Sequence, residues 1–94
     1  MGEEIFDSSG NVFTDLGFSP EEAAILQMRA DVMSDLREFI KAKKLTQAKA
    51  AEVLGVSQSR VSDLTRGKWE RFSLEMLIIL ATRAGMRVSL KIAA

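Results

Sequence analysis

Between Leu45 and Trp69 the chain reads LTQAKAAEVLGVSQSRVSDLTRGKW, two short amphipathic patterns joined by a turn too short to leave their crossing free. With Gln47 opening the first pattern, Ala50, Ala51 and Leu54 fall on one face at helical spacing, and Val56, Val61 and Leu64 carry the apolar set through the turn. Ala51 is small where the two helices would cross most closely. Gly55 stands where the first helix must stop, a position that calls for φ > 0, which glycine reaches without a Cβ penalty. Thr46 and Ser57 can each offer a hydroxyl to an unpaired backbone N–H, so they are expected to cap the first and second helices. The second helix is predicted from about Gln58 to Thr65, ending before Gly67.

Removing the inward positions Val61 and Leu64 leaves Gln58, Ser59, Arg60, Ser62, Asp63, Thr65 and Arg66 free to face outward, and this is a hydrogen-bonding surface. Gln and Arg can make bidentate contacts to adenine and guanine edges, each worth about 1–3 kcal/mol of discrimination, and Ser adapts to either. The start of the second helix of such a pair enters the major groove, so Gln58, Ser59 and Arg60 are the expected base readers, with Ser62 and Asp63 as further contributors. Asp63 has two readings: an acceptor for a cytosine amino group, or a helical-neighbour ion pair that holds Arg60 or Arg66.

A formal net charge of zero looks wrong for a nucleic-acid binder until the charges are placed along the chain. Residues 1–22 carry six acids and no base, whereas residues 41–71 carry eight bases and three acids, a local excess of +5 that coincides with the paired helices. Salt-dependent phosphate contacts are expected there. Lys41, Lys43, Lys44, Arg66, Lys68 and Arg71 are the phosphate candidates, with Ser57 at the start of the second helix. The alternative for Lys41 to Lys44 is a purely solubilising face.

Ninety-four residues, 47% hydrophobic and 28% charged with one proline, describe one small globular domain, mainly helical. The absence of cysteine and histidine excludes a disulfide, a thiolate site and the commonest metal ligand and general base, so no metal or other cofactor is expected. The six glycines form neither GxGxxG nor a P-loop. With no set of nucleophile, base and orienting group, an enzyme is not expected. No apolar run is long enough to span a membrane and the acidic start lacks the features of a secretory signal, which points to the cytoplasm.

Around the central unit, residues 1–18 form an acidic amino-terminal segment, and residues 19–94 form the main domain, with its paired-helix unit at 46–66. Met1 to Gly10 is expected to be mobile, while Val12, Phe13, Leu16 and Phe18 are too apolar to stay wet and should fold back over the helices, either as a core lid or as a partner-binding patch. A long helix should begin at Pro20, capped by Ser19 with Glu22 completing a capping box, and end near Lys43. Its predicted core stripe is Ile25, Met28, Val32, Leu36, Phe39 and Ile40. Leu26, Ala30 and Met33 widen that stripe, so a second contact is expected, from the amino-terminal segment, a neighbouring subunit or another protein. Trp69 and Phe72 should pin the following loop, although the Trp69 indole N–H is also a possible phosphate donor. Ser73 should cap a last helix through Leu74, Leu77, Ile78, Leu80, Ala81 and Ala84, stopped by Gly85.

From Met86 to Ile92 the chain alternates, with Met86, Val88, Leu90 and Ile92 apolar and Arg87, Ser89 and Lys91 polar between them. The alternation predicts a β-strand at 86–92. A lone strand has an unpaired edge, and pairing with the same strand of a second copy would satisfy both in one two-fold interface. The alternative is a hairpin within the chain, against Val12 and Phe13. A homodimer would set two reading helices about one DNA turn apart, matched to an inverted repeat in double-stranded DNA.

Gln47, Ala51, Gly55, Val61 and Leu64 stand at the spacing that marks the helix-turn-helix of the phage-repressor-like XRE superfamily, which this stretch resembles. The resemblance implies a mainly α, lambda-repressor-like bundle of five helices, here with the carboxy-terminal strand used for dimerisation. It also gives Gln47 a role: touching a phosphate and steadying a side chain of the reading helix, Gln58 being its possible partner. The flanking segments NVFTDLGFSPEEAAILQMRADVM, RGKWERFSLEML and MRVSLKI are similar to HigA-like antitoxins and their stand-alone relatives. That similarity implies a repressor of its own operon that neutralises a small basic ribonuclease toxin, or a regulator of the same build with no toxin. From a different class, the same fold could serve as a protein-interaction module that holds a partner on its acidic side without binding DNA.

Overall fold

The computed structural model describes residues 11–93. The expected mobility of Met1 to Gly10 therefore falls outside the described residues. Among these residues five α-helices follow in the order α1 (Val12–Asp15), α2 (Pro20–Ala42), α3 (Gln47–Leu54), α4 (Gln58–Thr65) and α5 (Leu74–Arg83), with a 3-10 turn at Trp69–Arg71 ahead of α5.

Local chemistry sets the helix boundaries. Ser19 Oγ accepts from the Glu22 N–H at 3.2 Å while the Ser19 N–H donates to the Glu22 carboxylate at 3.4 Å, the reciprocal box expected before Pro20. The hydroxyls of Thr46, Ser57 and Ser73 accept from the N–H groups of Lys49, Arg60 and Met76, each at 3.1 Å, and so start α3, α4 and α5. At the other ends the chain turns through the left-handed region, and an N–H five residues on reaches back into the last turn: Leu45 to the Ile40 carbonyl at 3.0 Å after α2, Val56 to Ala51 at 3.0 Å after α3. Gly55 occupies that region at φ 70°. After α2 the same place is held by Lys44, at φ 53°, the one non-glycine residue with positive φ among those described.

Two apolar clusters result. The larger joins Met33, Leu36 and Ile40 of α2 to Ala50 and Leu54 of α3, Val61 and Leu64 of α4, Phe72, and Leu77, Leu80 and Ala81 of α5. Ala51 and Val56 pack at its edge. Thus α2 forms the spine against which both halves of the paired-helix unit and α5 are assembled. The smaller cluster holds Phe13, Ala23 and Leu26, with Phe18, Ala30 and Trp69 against it. Its aromatic rings meet edge to face, Phe13 to Trp69 at 5.4 Å, Phe18 to Trp69 at 6.3 Å and Phe13 to Phe18 at 6.2 Å, a geometry that adds about 0.5–1.5 kcal/mol per pair beyond simple burial. Residues 11–18 fold back as a lid on α2, and Trp69 pins the loop by packing.

Three expectations are corrected. Val12 and Leu16 stay exposed, because α1 is a short helix capped by Asn11 that turns only Phe13 inward. On α2, Ile25 and Met28 are exposed, and Ala23, Leu26 and Met33 take the buried face. The aromatic lid draws the amino-terminal half of α2 toward itself, which rotates the core stripe away from Ile25 and Met28. Finally, Met86, Val88, Leu90 and Ile92 do not form a strand; the segment has no regular structure among the described residues. A strand exists only where a second one accepts its ladder, and within one copy the candidate partner, Val12 and Phe13, is helical.

Lys44 offers a direct stability test. A side chain in the left-handed region costs about 1–2 kcal/mol, and the extra unfolded-state freedom of glycine offsets part of any relief. Lys44→Gly is expected to raise the unfolding free energy by about 0.5–1 kcal/mol in urea denaturation, whereas Gly55→Val should lower it.

Candidate nucleic-acid interface

The crossing of α3 and α4 depends on Leu54 and Gly55. Leu54 is fully buried and Gly55 reverses the chain immediately after it. From the last turn of α5, Arg83 Nη1 donates to the Leu54 carbonyl at 2.9 Å, closing an acceptor that the end of α3 would leave open. A Cβ on Gly55 would stand 3.0 Å from that same nitrogen. Glycine is thus required twice at this turn, for its backbone conformation and for the close approach of Arg83.

Beyond the turn, α4 buries Val61 and Leu64. At about 100° per residue the opposite side is Ser59, Ser62 and Arg66, with Gln58 and Thr65 on one shoulder and Arg60 on the other. Gln58, Ser59, Thr65 and Arg66 are exposed and Ser62 is half-buried. Among the described residues, the side chains of Gln58, Ser59, Ser62 and Arg66 make no hydrogen bond within the chain. Ser57 Oγ accepts from the Arg60 N–H as the helix cap, which leaves its own O–H free to donate to a phosphate oxygen.

Arg60 and Asp63, two of the expected base readers, are held by other parts of the chain. The Arg60 guanidinium donates to the Arg71 carbonyl at 2.7 Å and lies over the Phe72 ring, 5.3 Å from its centroid. Asp63 pairs with Arg71 Nη1 at 3.9 Å, its side chain only 18% accessible. Its partner is therefore neither Arg60 nor Arg66 but a residue of the 3-10 turn, which folds back along α4. These contacts tie the loop after α4 to its flank. They also leave Arg71, a phosphate candidate, partly committed to Asp63.

The other cations divide. Lys41, Lys43 and Lys44 are exposed on the turn from α2 into α3, Arg66 is exposed at the end of α4, and Lys68 is half-buried just before the 3-10 turn. Lys49 pairs with Glu52 at 3.3 Å on the outside of α3. Gln47 and Gln58 open their helices and are both exposed, and no hydrogen bond joins their side chains among the described residues. Two arginines were not signalled by sequence reasoning. Arg83 holds the turn, and Arg37 of α2 brings its Nη1 to within 3.0 Å of where a Gly67 Cβ would lie, adding a cation beside Arg66 and Lys68. Neither position carries a local motif, since each acts on residues about thirty places away.

The family model described as "Helix-turn-helix domain" matches residues 12–93, and the chain belongs to that family. It is also similar to a solved structure named "Putative XRE Family Transcriptional Regulator", with 33% sequence identity over 78% of this chain and 82% of that one, at a TM-score of 0.72. The helix-turn-helix is thus of the XRE type. Among curated proteins none matches the chain. No helix among the described residues is long and apolar enough to cross a membrane.

Arg83→Met keeps most of the aliphatic stem and removes the donor. It is expected to lower stability by about 1 kcal/mol, the worth of one hydrogen bond in a partly wet site. Amide exchange should accelerate at Val56 and Ser57, and an unchanged exchange pattern there would deny Arg83 its hold on the turn.

Proposed function

We propose that this chain is a sequence-specific DNA-binding transcriptional repressor, acting by occupying double-stranded DNA and not by catalysis. The observation that carries the reading is the outward row of α4, where Gln58, Ser59, Ser62 and Arg66 offer hydrogen-bonding groups that no other group among the described residues engages. Buried or surface, a polar row without partners on a helix that is rigidly held from behind is what major-groove readout requires. Gln58 and Ser59 are the principal base readers, with Ser62 behind them. Arg60 joins them by exchanging the Arg71 carbonyl for a base edge, and Asp63 by leaving Arg71. Gln47, Ser57, Lys41, Lys43, Lys44, Arg66, Lys68 and Arg71 supply phosphate contacts, to which Arg37 is added. The active form is a homodimer on an inverted repeat, because one short reading surface alone gives little specificity.

In the finer reading, the repressor is the autoregulating antitoxin of a two-gene toxin–antitoxin pair. Its support is the resemblance of the segments before and after the helix-turn-helix to HigA-like antitoxins, together with an acidic first quarter of the chain suited to a small basic toxin. A stand-alone regulator is the second reading, favoured by the similar solved structure, whose name mentions transcriptional regulation alone. The two part on one observation: whether the adjacent reading frame encodes a small basic protein that arrests growth when expressed by itself.

Fluorescence anisotropy with DNA from the protein's own promoter and with a scrambled duplex, at several salt concentrations, tests the main proposal. Tighter promoter binding with a steep salt slope is expected. Equal, weak binding to both duplexes would move the function to a protein-interaction module. Lys44→Ala should weaken all sequences alike. Arg60→Ala should cost about 1–3 kcal/mol on the preferred site and relax specificity at one base pair. An equal loss on specific and random DNA would instead make Arg60 a strut for the loop at Arg71.

A further inference from the structure

On the side of α2 opposite the aromatic lid lies an open groove of about 750 Å³. Met28 and Val32 of α2 and Leu74 and Ile78 of α5 give it an apolar floor, Asp31 and Asp35 stand along α2, and residues 86–90 form a further wall. The carboxy-terminal segment leaves its own core progressively. Met86 packs against the main cluster, whereas Val88 is 39% exposed, Leu90 68% and Ile92 86%. Beyond the Met86 N–H, which donates to the Ala81 carbonyl at 2.9 Å, the segment takes part in no backbone–backbone hydrogen bond among the described residues. One chain thus displays a groove short of apolar filling and an apolar row short of a cover.

Charge identifies the occupant. The α2 wall is acidic, with Asp31 and Asp35 exposed, and among the described residues Asp31 accepts only from the neutral Gln27 amide at 3.0 Å. The segment is basic, with Arg87 and Lys91 between its apolar residues, and neither pairs with an acid among the described residues. We infer that the groove receives residues 86–92 of a second copy of this chain, in a two-fold exchange that sets Arg87 and Lys91 of each copy against Asp31 and Asp35 of the other. This deepens the homodimer of the proposed function and rests on that reading only for its consequence on DNA. A two-fold axis makes the exchange self-complementary, since each copy gives a segment and receives one. It covers Ile78, Val88 and Leu90 together, and it brings the two segments side by side, where the backbone groups that find no partner among the described residues of one copy can pair.

Reciprocal charge reversal decides between this exchange and a contact within one chain. Asp31→Lys with Asp35→Lys, and separately Arg87→Glu with Lys91→Glu, place like charges at both halves of the interface. In sedimentation at low salt each doubly substituted chain is expected to show a dimer dissociation constant raised at least tenfold. Mixing the two restores attraction at both halves, so a one-to-one heterodimer should form with near wild-type affinity. A contact within one chain could not be rescued by mixing. A wild-type monomer, a dimer indifferent to both reversals, or a failure of the mixture to recover would each overturn the inference, the last two directing attention to a different occupant.

The chain contains no cysteine, so a second readout needs no background removal. Val32→Cys and Leu90→Cys chains, mixed and oxidised, should form a disulfide between copies, and its absence in folded protein would also overturn the exchange. Neither readout uses DNA. A dimer of this kind that ignores its promoter would refute the repressor while leaving the groove assignment intact.

Discussion

The direction in which α4 leaves the body of the protein depends on the few atoms around Gly55. Leu54 is buried below, the backbone at Gly55 turns left-handed, and Arg83 reaches from α5 to the last carbonyl of α3. The turn is therefore held by a side chain from the opposite end of the domain as well as by its own conformation. Any angular error at the turn would be carried to every outward side chain of α4. A few degrees there would displace Gln58 and Ser59 together, which is why the crossing is fixed by packing and capping from several elements and not by the turn alone.

Around this turn the molecule braces α4 from behind and along one flank. Val61 and Leu64 sink into the main cluster, and Arg60, Asp63, Arg71 and Phe72 tie the following loop against the helix. Trp69 continues the same loop into the aromatic lid formed by Phe13 and Phe18. Such bracing uses polar groups that an inspection of residue types would assign to a ligand. It fixes the backbone of α4, so the helix itself needs little reordering on binding, while its outward side chains are ordered only when they meet a ligand. Zero net charge does not oppose that use, because acids and bases are separated along the chain.

Features governed by neighbours in sequence were legible before any coordinates. The caps at Ser19, Thr46, Ser57 and Ser73, the stop at Gly55, and the limits of α2 and α4 each depend on atoms a few residues apart. The apolar spacing of Ala50, Leu54, Val61 and Leu64 was equally readable, since a helix repeats its buried face on a local period. The rest was not, for reasons visible in particular residues. Ile25 and Met28 sit on a helix whose apolar residues exceed one face, and only the position of the lid determines which of them is covered. Asp63 has two helical-neighbour arginines within reach on paper, yet pairs with Arg71 because the 3-10 turn doubles back. Arg37 and Arg83 act across the fold, where no spacing rule applies.

The alternation from Met86 to Ile92 marks the boundary between the two kinds of information. Its period is a local property, but a strand is a relation between two segments, and the described residues of a single copy offer that stretch no ladder. By itself the sequence determined the helix-turn-helix, its capped ends, the polar composition of its outward face and the segregation of charge. Only the tertiary structure decided which polar groups of that face stay unused, which cations lie beside it and which apolar residues remain uncovered. The physical reason is range: caps and helical periods are satisfied within a few residues, whereas burial and ion pairing are settled by whatever distant part of the chain arrives at the same place.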